Sequence, residues 1–439
     1  MTISRPEPDA YARFLRGELA GGESRQVVRD LLAAWRTGHG ESASPPASHA
    51  FSTLEPAADG WSPRVREHAE SVLRERRKLP SLIARLREMP AAGRDGYLRS
   101  EPETRSWLFG EWLIEESLRR IHGDPADAGE LAASAADLID TLDPSLYGAP
   151  LIADLRARAW ACRGETLRVL SDLRGADEAF QKAEALAAQG TGDALEEARV
   201  LELEAALRRD QRRSREAHQL LDEVISVYRQ YRDFHLLGRA FVQKGRVYGR
   251  SSDHEEGILW LRKGLGLLDP GRERYFDLSA RHSLMLCLHE SGRHREARFL
   301  LKASRPEFLA HGSRVLILRL GWLEGKIYDA LGFPEKAERS LLQARTGFAG
   351  LGIGFGAAAV SLDLAGLYAG QGRAAEVREL AEEVLPIFQS RDLHHEAMAA
   401  LIAFQQAARM EESSAKILAE IRSCLDRARS DPKLRCEPV

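Results

Sequence analysis

Three clusters in this chain have residue types that could do chemistry, and in each the spacing decides what that chemistry would be. His289-Glu290-Ser291-Gly292-Arg293-His294 gathers two imidazoles and a carboxylate. A metal-binding helix of that kind needs its histidines four apart on one face; here they are five apart with Gly292 between them, so no metal site is expected. Gly350-Leu351-Gly352-Ile353-Gly354-Phe355-Gly356 has the glycines of a phosphate-cradling loop, but no strand precedes it and no Lys-Ser or Lys-Thr follows. A flexible link between helices is the expectation. In His394-His395-Glu396, adjacent residues diverge by about 100 degrees around a helix, which suits a polar helix start better than a ligand set. No serine or cysteine has the surroundings of a nucleophile. Cys162, Cys287, Cys424 and Cys436 lack paired spacing and read as reduced thiols. The expectation is a protein with no catalytic residues, no metal and no cofactor.

The elements that position these residues follow a repeat. Ala176, Ala217, Gly257, Ala297, Ala337 and Val377 are separated by 41, 40, 40, 40 and 40 positions. Four positions after each marker stands Phe180, Leu221, Leu261, Leu301, Leu341 or Ala381, and three further on Ala183, Val224, Gly264, Ser304, Ala344 or Val384. Each repeat therefore carries a helix with one packing stripe. Twelve positions before the marker stands Gly164, Ala205, Gly245, Gly325 or Ala365, small enough for two helix axes to approach closely, with Met285 the exception. Three positions later comes a knob, Leu167, Tyr248, Leu288, Tyr328 or Tyr368, with Arg208 the exception. Gly292, Gly332 and Gly372 fall five before their markers, where a turn must end one helix and start the next.

This pattern resembles the tetratricopeptide repeat, with Trp160, Gly164, Leu167, Ala176, Phe180 and Ala183 as the best single match. The resemblance implies an all-α fold, a right-handed superhelical solenoid of helix-turn-helix units. The family's usual period is about 34 residues, so a 40-residue period adds roughly a turn and a half of helix or a longer link, as in the long-helix repeats of large bacterial signalling regulators. The leucine expected before the small residue survives only as Leu284 and Leu364. A more degenerate unit precedes, with Trp112, Ala128, Ala132 and Ala135 in the corresponding places, and an apolar-striped segment from Glu396 to Arg429 can close the far end. The expected organisation is an N-terminal helical hairpin at 1–37, a linker at 38–62, connecting helices at 63–100, the solenoid at 101–430 and a tail at 431–439.

Tyr11 to Leu19, followed by Glu23 to Leu32, resembles the small zinc-binding anti-sigma module of bacteria. That family carries His-x3-Cys-x2-Cys on its second helix, whereas the aligned positions here are Asp30, Ala34 and Thr37. The resemblance implies a helical pair that has lost its zinc, in a bacterial regulatory setting.

Composition sets the remaining bounds. The 439 residues are 44% hydrophobic and 29% charged, with no apolar run long enough to span a bilayer and no signal-peptide core at the start, so a cytoplasmic protein is expected. A net charge of −3 exerts no general pull on nucleic acid or acidic lipid.

In tetratricopeptide arrays, positions 2, 5, 9 and 12 of the first helices line a concave groove. Carried over to this sequence, position 2 is Arg158, Arg199, Arg239 and Arg319; position 5 adds His282 and Trp322; position 9 adds Arg246 and Lys326; and position 12 adds Arg168, Arg209 and His289. These cations either meet a partner or are neutralised by acids on neighbouring helices such as Glu202 and Asp329. The functional expectation is a non-enzymatic scaffold that holds an acidic or extended segment of another protein, a sigma factor or another regulatory protein, in a basic groove. A nucleic-acid-binding regulator using the same arginines on phosphates is the alternative, and salt dependence separates the two.

Overall fold

The computed structural model describes residues 63–389. The expected hairpin at 1–37, the linker at 38–62, the His394-His395 pair, the closing segment Glu396–Arg429 and the tail all lie outside the described residues. Those described are helical, with no strand among them. The chain divides into two compact units, one ending at Glu204 and the other beginning at Ala205.

The first unit contains α1 (Pro63–Glu88), α2 (Ala91–Ser100), α3 (Trp107–Arg120), α4 (Pro125–Asp140), the single turn α5 (Pro144–Tyr147), α6 (Ala149–Val169) and α7 (Leu173–Ala187). α1 runs through Pro80 to Glu88, within the stretch expected to hold connecting helices. Leu82, Leu86 and Leu98 of its first two helices enter the same core as Phe109, Leu113, Ala132 and Ala135 of α3 and α4. The degenerate unit at Trp112 is thus a packed helix pair.

The division between units falls within α8 (Ala194–Asp210). The second unit continues with α9 (Ser214–Gln230), α10 (Phe234–Arg250), α11 (His254–Leu265), α12 (Arg274–Glu290), α13 (His294–His311), α14 (Arg314–Ala330), α15 (Pro334–Gly350), α16 (Gly354–Gly370) and α17 (Ala374–Gln389). The first helices α8, α10, α12, α14 and α16 are each 17 residues long, and each starts 40 residues after the one before. Three-residue turns join them to their partners, so longer helices, not longer links, account for the extended period.

The turns end the helices by one device. The residue five before each marker has positive φ: Ser171 at 70°, Arg212 at 59°, Ser252 at 65°, Gly292 at 79°, Gly332 at 76° and Gly372 at 71°. The next amide then donates back across the last turn, as from Arg293 to the Leu288 carbonyl at 2.8 Å and from Phe333 to that of Tyr328 at 2.9 Å. These acceptors are the knob positions read from the sequence, and the geometry is that of a Schellman cap. Gly350–Gly356 follows suit: α15 ends at Gly350, Gly352 takes φ 69°, and Gly354 opens α16, so the run is a helix link.

Packing repeats as regularly. All six markers are buried, and so are the bulky residues four positions later. A Cβ placed on Gly164 would lie 2.7 Å from Phe180, one on Gly245 2.7 Å from Leu261, and one on Gly325 2.6 Å from Leu341. The small residue of each first helix therefore meets the bulky residue of its partner. The α10–α11 pair goes furthest: Gly238 and Gly245 face Gly264 and Gly257, and a Cβ on Gly264 would meet the Gly238 carbonyl at 2.7 Å. Backbone touches backbone there.

Candidate protein-binding groove

The expected groove residues stand on first helices, and the structure places those of each unit among different partners. In the first unit Arg158 is 13% exposed and pairs with Glu111 of α3, itself 1% exposed, while its Nε lies 3.4 Å from Glu196 of α8. Arg199 reaches the same Glu196 at 3.1 Å. Arg158 is thus the centre of a buried ion pair and is not offered to a ligand. Arg168 pairs within its own helix with Glu165 at 2.6 Å.

In the second unit the remaining six come from three successive first helices, α10, α12 and α14, and their contacts reach one repeat onward, except that Lys326 reaches one repeat back. Arg239 donates to Glu273 at 2.7 Å. Burial would raise the Glu273 carboxyl, but the Arg239 charge beside it prevails and holds it down to about 2. Arg246 donates to the Ser279 hydroxyl at 2.9 Å and to that of Ser283 at 3.2 Å. Arg239 and Arg246 both lie over the Phe276 ring, 5.2 and 4.9 Å from its centroid, where the ring's negative face attracts a cation. Lys326 donates to Glu290 at 2.7 Å, and the Trp322 indole N–H donates to Asp363 of α16. Trp322 also rests edge-on against Phe348. Arg319 is exposed and has no ion pair among the described residues. Asp329, one of the acids the sequence offered as a neutralising partner, forms no ion pair with these cations; Glu111, Glu196, Glu273 and Glu290 serve instead. Their signal was a separation of about one repeat.

His282 stands among these cations. Burial comes first, then the charges of Arg319, Arg246 and Lys326, and together they push its imidazole down to about 4. It is neutral at pH 7, with Nε2 3.4 Å from the Arg319 carbonyl oxygen. Arg246, His282, Arg319 and Lys326 therefore form one neighbourhood, as equivalent positions in stacked repeats should.

Beside Lys326 the surface opens into a cavity of about 440 Å³ lined by His289, Glu290, His294, Asp329, Asp363 and Leu341 among others. Spacing within a single helix had separated the two histidines. They in fact straddle the turn between α12 and α13, with ring centroids 4.9 Å apart and Nδ1 atoms 3.2 Å apart. No group of three or more His, Cys, Asp or Glu side chains suited to a metal occurs among the described residues. Cys162 and Cys287 are buried, and burial pushes both thiols up to about 12, so neither is a poised nucleophile. No described helix is long and apolar enough to cross a membrane.

No protein-family model and no curated protein matches this chain. Among solved structures it is similar to a Rap protein complexed with Competence and Sporulation Factor, at 14% identity, covering 81% of this chain and 99% of that one, with a TM-score of 0.51. The apo form of RapI matches at 14% identity over 71% of this chain and 85% of that one, with a TM-score of 0.48. Aspartyl phosphate phosphatase F from Bacillus subtilis matches at 10% identity over 94% and 96%, with a TM-score of 0.44. The likeness to the first is one of fold, in keeping with an all-helical array of tetratricopeptide-like repeats.

Proposed function

We propose that this protein is a non-enzymatic scaffold of bacterial regulation that holds an extended segment of another protein, or a peptide, against the first helices of its second unit. The reading is carried by the convergence of Arg246, Arg319 and Lys326 around a neutral His282, beside the half-buried Trp322. An extended acidic segment suits that surface, since guanidinium forks meet carboxylates with paired hydrogen bonds and an indole gives an apolar anchor. The Rap protein of similar fold is itself complexed with a factor. Nucleic acid is less favoured, because Arg239 and Lys326 are already matched by Glu273 and Glu290.

The test compares capture of partners from the native cell by wild type and by the Arg246→Glu/Arg319→Glu double variant. Arg239 is left alone, because its loss would strand Glu273. Partners held by wild type should be lost by the variant while helical circular dichroism stays the same. Equal capture by both proteins would exclude this face as the binding surface. A moderate dependence of affinity on salt is expected; a steep linear fall of log affinity with log salt would point to phosphates.

A further inference from the structure

The groove changes sign along its length. On α10 and α14 it presents Arg246 and Arg319. In the cavity beyond Lys326, three carboxylates, Glu290, Asp329 and Asp363, stand against the single Lys326 ammonium. Two of these carboxylates have donors: Glu290 accepts from Lys326 and Asp363 from Trp322. The Asp329 side chain has neither an ion pair nor a hydrogen bond among the described residues, although it faces the cavity. The residue lies at the exposed mouth of the cavity, where partial desolvation and then the neighbouring Asp363 charge raise its carboxyl above the usual range, and no protein cation among the described residues pairs with it. The imidazoles of His289 and His294 meet Nδ1 to Nδ1 at 3.2 Å, a contact that requires one nitrogen to donate and the other to accept, so they line the cavity without opposing a cation with two charges. The volume, about 440 Å³, is that of a ligand pocket.

We propose that this cavity receives the cationic side chain, Arg or Lys, of the bound segment, whose acidic residue meets Arg246 and Arg319. The inference rests on the groove being a segment-binding site. It adds that the site selects segments carrying both charges and fixes the direction in which they lie. A purely acidic segment would leave Asp329 uncompensated and would crowd Glu290 and Asp363 with further negative charge, whereas a basic side chain there meets three acceptors.

The experiment is selection of a displayed random heptapeptide library on the full chain, in parallel with Asp329→Asn and with Arg246→Glu/Arg319→Glu. Asp329→Asn removes charge without removing a protein contact, so the variant keeps its fold. Wild type should enrich peptides that pair Arg or Lys with Asp or Glu at a constant spacing. Asp329→Asn should lose the basic preference and keep the acidic one. For one selected peptide, changing its Arg to Gln should weaken binding to wild type about tenfold or more and binding to Asp329→Asn hardly at all, a coupling of about 1.4 kcal/mol for a factor of ten. Acid-only peptides enriched equally by wild type and Asp329→Asn would overturn the inference and leave the groove reading standing. Enrichment by wild type no greater than by Arg246→Glu/Arg319→Glu would overturn both.

Discussion

Adding a single methyl group at three glycines of the second unit should give three different results, because the surroundings of each glycine differ. Gly321 lies within α14, and a Cβ there would meet nothing within 4 Å. Alanine at that site should stabilise the unit by about 1 kcal/mol, the difference in helix propensity. At Gly325 the nearest atoms are Cγ and Cδ2 of Leu341, at 2.6 and 2.7 Å, and these belong to a side chain that can turn aside. Overpacking costs about 1–3 kcal/mol, so a cost at the lower end nearly cancels the propensity gain. At Gly245 the new carbon would meet the Leu261 amide nitrogen at 2.9 Å and the Gly257 carbonyl oxygen at 3.0 Å, besides Leu261 Cγ at 2.7 Å. Backbone cannot step aside, so the cost sits at the upper end and leaves a net loss of about 2 kcal/mol, while Gly245→Leu should be worse. In a unit of this size each kcal/mol moves the melting temperature by about 2–4 °C. Thermal unfolding followed at 222 nm should therefore rank Gly321→Ala above wild type, Gly325→Ala near it and Gly245→Ala some 4–8 °C below it. Equal shifts for Gly321→Ala and Gly245→Ala would refute the crossing of α10 and α11 at this residue.

At the left-handed turn positions, Arg212→Gly and Ser252→Gly should each stabilise by up to about 1 kcal/mol, because a side chain costs roughly 1–2 kcal/mol at such φ while glycine costs some chain entropy; lower urea midpoints for both would contradict the assigned φ of 59° and 65°. Arg158→Met should destabilise the first unit by about 3–5 kcal/mol, since it leaves the buried Glu111 carboxylate without its cation while Glu196 keeps only Arg199; calorimetry showing an unchanged transition would return Arg158 to the surface. For His282 the folded value of about 4 lies below the ordinary 6.5, so the unfolded chain binds more protons between those limits and wild-type stability falls as pH drops through that window. His282→Asn should flatten that fall, and identical slopes in wild type and variant between pH 6.5 and 4 would show that His282 is not held neutral by the fold.

The repeat was legible in the chain because its cause is local and is applied again at each period. A small residue where axes cross, a bulky one where its partner fills the space, and a left-handed turn residue five before the marker are each dictated by contacts within one helix pair. Their spacing is therefore printed in the sequence, even where Arg212 or Ser252 stands in place of the turn glycine. The face shared by Arg246, His282, Arg319 and Lys326 was legible for the same reason, since equivalent positions in a stack point the same way. What each side chain does there was decided by tertiary structure. Whether Arg158 is a groove cation or a buried counter-ion depends on Glu111, 47 residues away and brought alongside only when α3 and α6 pack. His289 and His294 were judged by helical phase, but the turn folds one back over the other, and that phase does not carry across a turn. The cavity beside Lys326 draws on α12, α13, α14, α15 and α16, and its balance of charge exists only once those helices are stacked. Helical periodicity reports which face a residue is on; the sign and shape of a surface assembled from several helices follow from their neighbours, which no single repeat contains.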